Sequence, residues 1–235
     1  MRVAIMQPYF FPYAGYFSLV SSVDVFVFFD DVQYIRRGWI ARNRILNRNS
    51  DSGWEYINVP LKKAAQQARI CEMEIHHDDQ WEEKLIRKVT FRYSKAPFFG
   101  AVSELLFDTL RHDLNRISDL NCTSIQEICG YMGIEKTFMR SSALEYNRSL
   151  GACEKLIEIT RSLGGTTYCN AVGGRNLYDR EEFARAGLGL LFVQPGEVTY
   201  NQGGGNFVPD LSIMDALMWN SKEDARRLVD AYTVV

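Results

Sequence analysis

The chain has 235 residues, 46% hydrophobic and 24% charged, with 27 basic and 29 acidic side chains and a net charge of -2. A chain of this size buries about 70% of its unfolded surface, so a full core needs no staples, and 13% aromatics exclude a disordered linker. The near-neutral balance gives no support to nucleic-acid binding by the chain as a whole, and no apolar run approaches the ~18 residues of a membrane span.

In the N-terminal segment MRVAIMQPYFFPY only Val3 to Met6 is continuously apolar, and Pro8 breaks it, so it does not read as a signal peptide and a cytoplasmic location is expected. Val3 to Met6 reads as a strand and Gly15 to Val20 as a short helix. Val25 to Phe29 is apolar on both faces, as a central parallel strand is. Residues 36–48 carry five arginines and no acid and read as a basic stretch. Trp54 to Leu61 and Ile70 to Ile75 alternate as strands do. Helical patterns follow at 80–93, 98–112 and 116–132, the first with Trp81, Leu85 and Val89 at four-residue spacing. Then come a strand at Lys136 to Ser141, a helix at Glu154 to Leu163, a strand at Thr166 to Asn170, a short helix at Glu181 to Ala186 and a last strand at Leu188 to Val193. QGGGN (202–206) reads as a flexible loop, and Asn201 and Gln202 are expected to order on ligand binding. A C-terminal helix begins at Ser212, capped by Ser212 or Asp210. This alternation argues an α/β fold with a parallel, Rossmann-like sheet in one domain over 1–235, with a helical insertion or cap at about 80–132. The apolar segment LSIMDALMW either closes the core or offers an oligomer surface.

The five cysteines (Cys71, Cys122, Cys129, Cys153, Cys169) form no CxxC pair and read as buried free thiols, with no local signature for a nucleophilic Cys169. Adjacent His76 and His77 point opposite ways on a strand, so no metal site is expected. The chemistry gathers instead at the presumed ligand edge, where loops leave the C-terminal ends of parallel strands. After the first strand, QPYFFPYAGYF offers Tyr9 and Tyr13 for stacking, Gln7 for hydrogen bonds and Gly15 at the helix start. After the second, Asp30 and Asp31 are candidate general bases, with Tyr34 close by and Arg37 a candidate partner for Asp31. Arg37, Arg42 and Arg44 match phosphate or carboxylate bidentately. Trp39 stacks on a ring or on an arginine, Asn43 lies between the arginines, and Lys62 and Lys63 extend the basic stretch. Asn170, Gly173 and Gly174 end a later strand, where backbone N–H groups can meet an anion.

MQPYFFPYAGYF, FVFFDDVQYIRRGWIARNRI, NVPL, NAVGGRNLY and FVPDLSIMDALMWNS resemble the WbqC-like protein family over Met6 to Ser221. Phe29 stands where a tyrosine is often found, and Ala41 where an asparagine is common. The resemblance implies a setting in O-antigen and other cell-surface polysaccharide sugar biosynthesis. It points to a nucleotide-linked sugar, such as an amino sugar, modified by an acyl or aminoacyl donor. A charged tRNA is the one nucleic acid such a donor would bring, and the cofactor is left open. The opening strand, loop and helix are also similar to nucleotidyltransferase and class I synthetase-type (HUP-like) domains. Of their HxGH-type turn only Gly15 remains, with Tyr13 and Tyr16 at the histidine positions. Three readings follow: a transferase acting on a nucleotide sugar, a non-catalytic nucleotide-sugar binder, and a nucleotidyltransferase-like enzyme.

Overall fold

The computed structural model describes residues 1–77, 80–112 and 114–235. Six strands form one sheet: β1 (Arg2–Met6), β2 (Val25–Phe28), β5 (Thr137–Arg140), β6 (Thr167–Ala171), β7 (Gly189–Pro195) and β8 (Tyr232–Val234). Their spatial order is β5-β2-β1-β6-β7-β8. The first five run parallel and β8 pairs antiparallel to β7. The chain steps outward from β1 to β2 and β5, then crosses back to build β6 and β7 on the other side of β1. This is the Rossmann order, and its switch point lies between β1 and β6, where open α/β sheets bind ligands.

Strand periodicity sorts the core into two layers. Ala4, Phe26 and Phe28 face a large cluster with helix α1 (Ala14–Ser21) and helices α2 (Trp81–Tyr93), α3 (Phe99–Arg111) and α4 (Ile117–Tyr131). Val3, Ile5, Val25 and Val27 face a smaller one, with Leu156 and Ile159 of α5 (Ala152–Ser162) and Phe183 of α6 (Arg180–Arg185). All four β2 residues are buried, which is why that strand is apolar throughout. Phe28 and Phe138 stack across β2 and β5 with centroids 5.5 Å apart.

Several expectations are corrected. Ile70 to Ile75 is not a strand: Ile70–Glu72 is a single 3-10 turn, closed because the Glu72 carboxylate accepts the Arg69 backbone N–H at 2.8 Å. The basic stretch, given no element from the sequence, contains a strand. Arg42–Leu46 forms strand β3, paired antiparallel with β4 (Trp54–Asn58). The expected C-terminal helix is two, α7 (Ile213–Trp219) and α8 (Lys222–Asp230). Extended Asn220 breaks them, and Ser221 caps the second by accepting the Asp224 N–H. Ser212, not Asp210, caps α7. Ile213, Met214, Leu217 and Met218 of α7 are buried within the chain.

The QGGGN segment is anchored rather than loose. Gln202 is 3% exposed and donates to an Asp215 Oδ2 at 2.8 Å. Tyr200 donates to the same oxygen and Tyr93 to Oδ1, both at 2.9 Å. Burial outweighs these three donors and raises the pKa of Asp215 above the ordinary carboxylate value. The unfolded chain therefore releases this proton first as pH rises. The contribution of Asp215 is full below the unfolded carboxylate pKa of about 4 and declines as pH climbs through the folded value. Chemical denaturation of wild type and Asp215→Asn between pH 4 and pH 7 should show the wild-type advantage shrinking with pH. A pH-independent difference contradicts this.

Candidate functional site

The loop between β1 and α1 is held by side chains from elsewhere in the fold. Asn43 on β3 donates from Nδ2 to the Phe10 and Phe11 carbonyls at 2.9 and 2.7 Å. Asn121 of α4 donates to the carbonyls of Pro8 and Ile40, both at 2.9 Å. Ser212 Oγ donates to the Phe11 carbonyl, and the Phe10 N–H donates to the Trp39 carbonyl. Phe11 takes a left-handed φ of 41°, which sends Phe10 and Phe11 inward; both are fully buried. The N-terminal aromatics thus divide: Phe10, Phe11, Tyr16 and Phe17 belong to the core, Tyr9 packs half-buried against it while lining the cavity, and Tyr13 faces outward.

Tyr9, Pro12, Tyr13, Trp39, Asn43, Arg44 and Asp210 line one cavity of about 270 Å³. Three aromatic side chains among the described residues are exposed by more than a third, and two of them, Tyr13 (36%) and Trp39 (37%), line this cavity. Their open faces beside a concavity offer a surface on which a planar ring can stack. The hairpin supplies the charge. Arg42 and Arg44 share a face of β3 two residues apart, with Trp54 and Tyr56 of β4 beside them. The Arg44 guanidinium lies 5.3 Å from the Trp39 ring and 5.1 Å from the Trp54 ring, and Arg42 lies 4.5 Å from the Tyr56 ring. Among the described residues neither arginine has a carboxylate in ion-pair contact: Arg42 donates to the Arg37 carbonyl and Arg44 to the Asp210 carbonyl. Both Nε–H groups are buried with no acceptor. Arg44 lines the cavity and Arg42 does not; an aromatic-backed guanidinium beside Trp39 and Tyr13 suits a planar ring carrying phosphate or carboxylate.

A family model described as the WbqC-like protein family matches residues 7–227. The chain belongs to this family. A relative from Mycobacterium tuberculosis (strain ATCC 25618 / H37Rv), described as uncharacterized protein Rv1507c, is 32% identical over 219 residues, 92% of each chain. No solved structure matches.

In this WbqC-like chain the two aspartates expected as bases form a separate, buried centre. Asp30 accepts from the Ser142 N–H and hydroxyl, each at 2.9 Å, and is fully buried. Asp31 accepts from the Tyr146 hydroxyl at 2.8 Å, Arg148 Nε at 2.7 Å and Ser141 Oγ. Its expected partner Arg37 is exposed and elsewhere engaged through its carbonyl; the partner is Arg148, on the loop after β5. Neither aspartate lines the Trp39 cavity. Gln7, half-buried at the end of β1, receives the Tyr16 hydroxyl on its carbonyl. Gly15 carries the Tyr13 ring close above it, where a Cβ would meet that ring at 2.5 Å. Gly38 closes a turn onto the Ile35 carbonyl. Asn170 binds its own neighbour's N–H, and Val172–Leu177, with Gly173 and Gly174, forms a 3-10 segment outside the Trp39 cavity. Tyr34 lines a different cleft.

Sequence reading missed Asp210 as a site residue. Its backbone is left-handed (φ 54°), it lines the Trp39 cavity, and it also lines a neighbouring cavity of about 420 Å³ with Tyr13, Gly15 and Tyr200. The signal was slight: Asp is one of the few residues that tolerate that conformation. Asn121 left no signal, since it is an ordinary polar residue within a helical pattern. Cys122, Cys129 and Cys169 are buried and free, and burial pushes the Cys169 thiol up to about 11 and that of Cys129 to about 12. Neither is a thiolate at neutral pH.

Proposed function

We propose that this WbqC-like chain binds a nucleotide-linked sugar in the Trp39 cavity and takes part in making a cell-surface polysaccharide sugar, by acyl or aminoacyl transfer onto it. The supporting observation is that Arg44, without a carboxylate in ion-pair contact among the described residues, lines one cavity with exposed Trp39 and Tyr13. Trp39 and Tyr13 hold the base or sugar ring, and Arg44 holds the diphosphate. Asp210 is the carboxylate in the cavity wall, positioned to take a proton from the sugar's amine or hydroxyl. For Asp30 or Asp31 to act as the base, their bonds to Ser141, Ser142, Tyr146 and Arg148 must open.

The test is calorimetric titration with uridine and thymidine diphosphate sugars, alongside tryptophan fluorescence. Arg44→Ala and Trp39→Ala should each weaken binding about tenfold or more, since a hydrogen bond to a charged group contributes about 1.5–3 kcal/mol and an aromatic stack about 1–3 kcal/mol. No saturable binding of any nucleotide sugar rejects the reading. A second reading is a binder without catalysis: among the described residues the cavity wall holds one carboxylate, Asp210, and no cysteine, histidine or serine. Mass spectrometry of bound nucleotide sugar mixed with acyl donors separates the two: a mass increase on the sugar means transfer.

A further inference from the structure

We propose that the cleft between the segment Tyr34 to Arg36 and the loop Leu61 to Gln66 is a second anion site, taking a phosphate group, separate from the Trp39 cavity. The cleft has a volume of about 270 Å³, shares no lining residue with the Trp39 cavity, and is lined by three cations (Arg36, Lys62 and Lys63) with no carboxylate in its wall. Among the described residues Arg36 and Lys63 have no acidic partner. Lys62 reaches Glu74 at 2.7 Å, but both side chains are 54% exposed, so water and salt screen that pair and an incoming phosphate competes with it.

The walls are fixed by backbone pairing. The Tyr34 N–H donates to the Ala68 carbonyl at 2.9 Å, the Ile70 N–H to the Val32 carbonyl at 2.9 Å, and the Lys62 N–H to the Glu74 carbonyl at 2.9 Å. Gln33 and Arg69 form an isolated bridge, as do Leu61 and Ile75. The Gln33 side chain donates to the Gln66 carbonyl at 3.0 Å. A run of solvated lysines on a loose loop has no such ties. Burial keeps the Tyr34 hydroxyl above its ordinary pKa, so it stays a proton donor at neutral pH. One guanidinium fork, two ammonium groups and a phenol match the oxygens of a single phosphate. Three cations with no carboxylate in the wall favour a phosphate as the occupant.

The experiment titrates inorganic phosphate and glycerol 3-phosphate into wild type, the double variant Arg36→Ala/Lys63→Ala, and Arg44→Ala. Arg36 and Lys63 are exposed and Arg44 is half-buried against two tryptophans, so thermal unfolding of each variant checks that the fold is retained. Saturable binding in wild type, weakened tenfold or more in the double variant and unchanged in Arg44→Ala, is the expected result. Tighter binding of the ester assigns the site to a phosphate carried by a larger ligand, and equal binding assigns it to the free anion. No saturable binding, or loss in Arg44→Ala with none in the double variant, overturns the proposal. The result is independent of the nucleotide-sugar reading, because phosphate can bind here while every nucleotide sugar fails at Trp39.

Discussion

Replacing Asp31 with asparagine lowers the unfolding free energy by about 3 kcal/mol, and replacing Arg148 with alanine does nearly as much. The Asp31 side chain is 1% exposed. All its neighbours donate: Tyr146, Arg148 and Ser141. Asparagine turns one of its two acceptor oxygens into an NH₂ group, so a donor faces a donor where water cannot intervene. Arg148→Ala leaves a carboxylate buried without its cation, the costly half of a broken pair. It also frees the carbonyls of Ser141 and Leu144, which Arg148 Nη2 holds at 3.2 and 3.0 Å. Urea denaturation of both variants measures this. If Asp31 acts only as a base, Asp31→Asn keeps wild-type stability and loses turnover, and that outcome removes the anchoring role.

Asn43→Ala costs about 2–4 kcal/mol and abolishes ligand binding in the Trp39 cavity. Asn43 is 4% exposed and holds two carbonyls, Phe10 and Phe11, while its own oxygen accepts the Arg44 N–H at 2.8 Å. Alanine removes the Asn43 partner of the Phe10 carbonyl and of the Arg44 N–H and leaves the Phe11 carbonyl to Ser212 alone, each lost bond worth about 1–3 kcal/mol where no water reaches it, with relaxation recovering part. The loop then loses its register against β3, so Tyr9 and Tyr13 no longer face Trp39 and Arg44. Denaturation measures the stability change and calorimetry the binding. A stable Asn43→Ala protein that still binds its ligand contradicts the clamp.

The two variants mark how far the sequence could be read. Asp30 and Asp31 were legible as an unusual pair at the end of an apolar strand. Their burial was not, because the groups that satisfy them sit up to 117 residues away on the loop after β5. The N-terminal aromatics were legible as a cluster beside prolines. Which of them point inward was not, because the left-handed turn at Phe11 is imposed by Asn43 and Ser212 across the fold. Strand β3 was hidden because Arg42 and Arg44 look like a solvated basic run. Their stems and guanidinium planes instead lie against Trp39, Trp54 and Tyr56.

By itself the sequence determined the α/β class and most element types, through spacings of two and four residues that any chain with this pattern must bury on one face; β3 and the 3-10 turn at Ile70–Glu72 escaped it. It also suggested that the aromatic loop and the arginines share a site; the fold brings Tyr9, Tyr13, Trp39 and Arg44 to one cavity and leaves Arg42 outside its wall. Tertiary structure decided the rest: the strand order that puts β6 beside β1, the pairing of Asp31 with Arg148, and the arrival of Asp210 in the wall of the Trp39 cavity. The physical reason is distance along the chain. Local periodicity is set by neighbours a turn away, whereas a buried carboxylate or a shared cavity wall is set by which loops the closed sheet brings together, and no short stretch of residues carries that information.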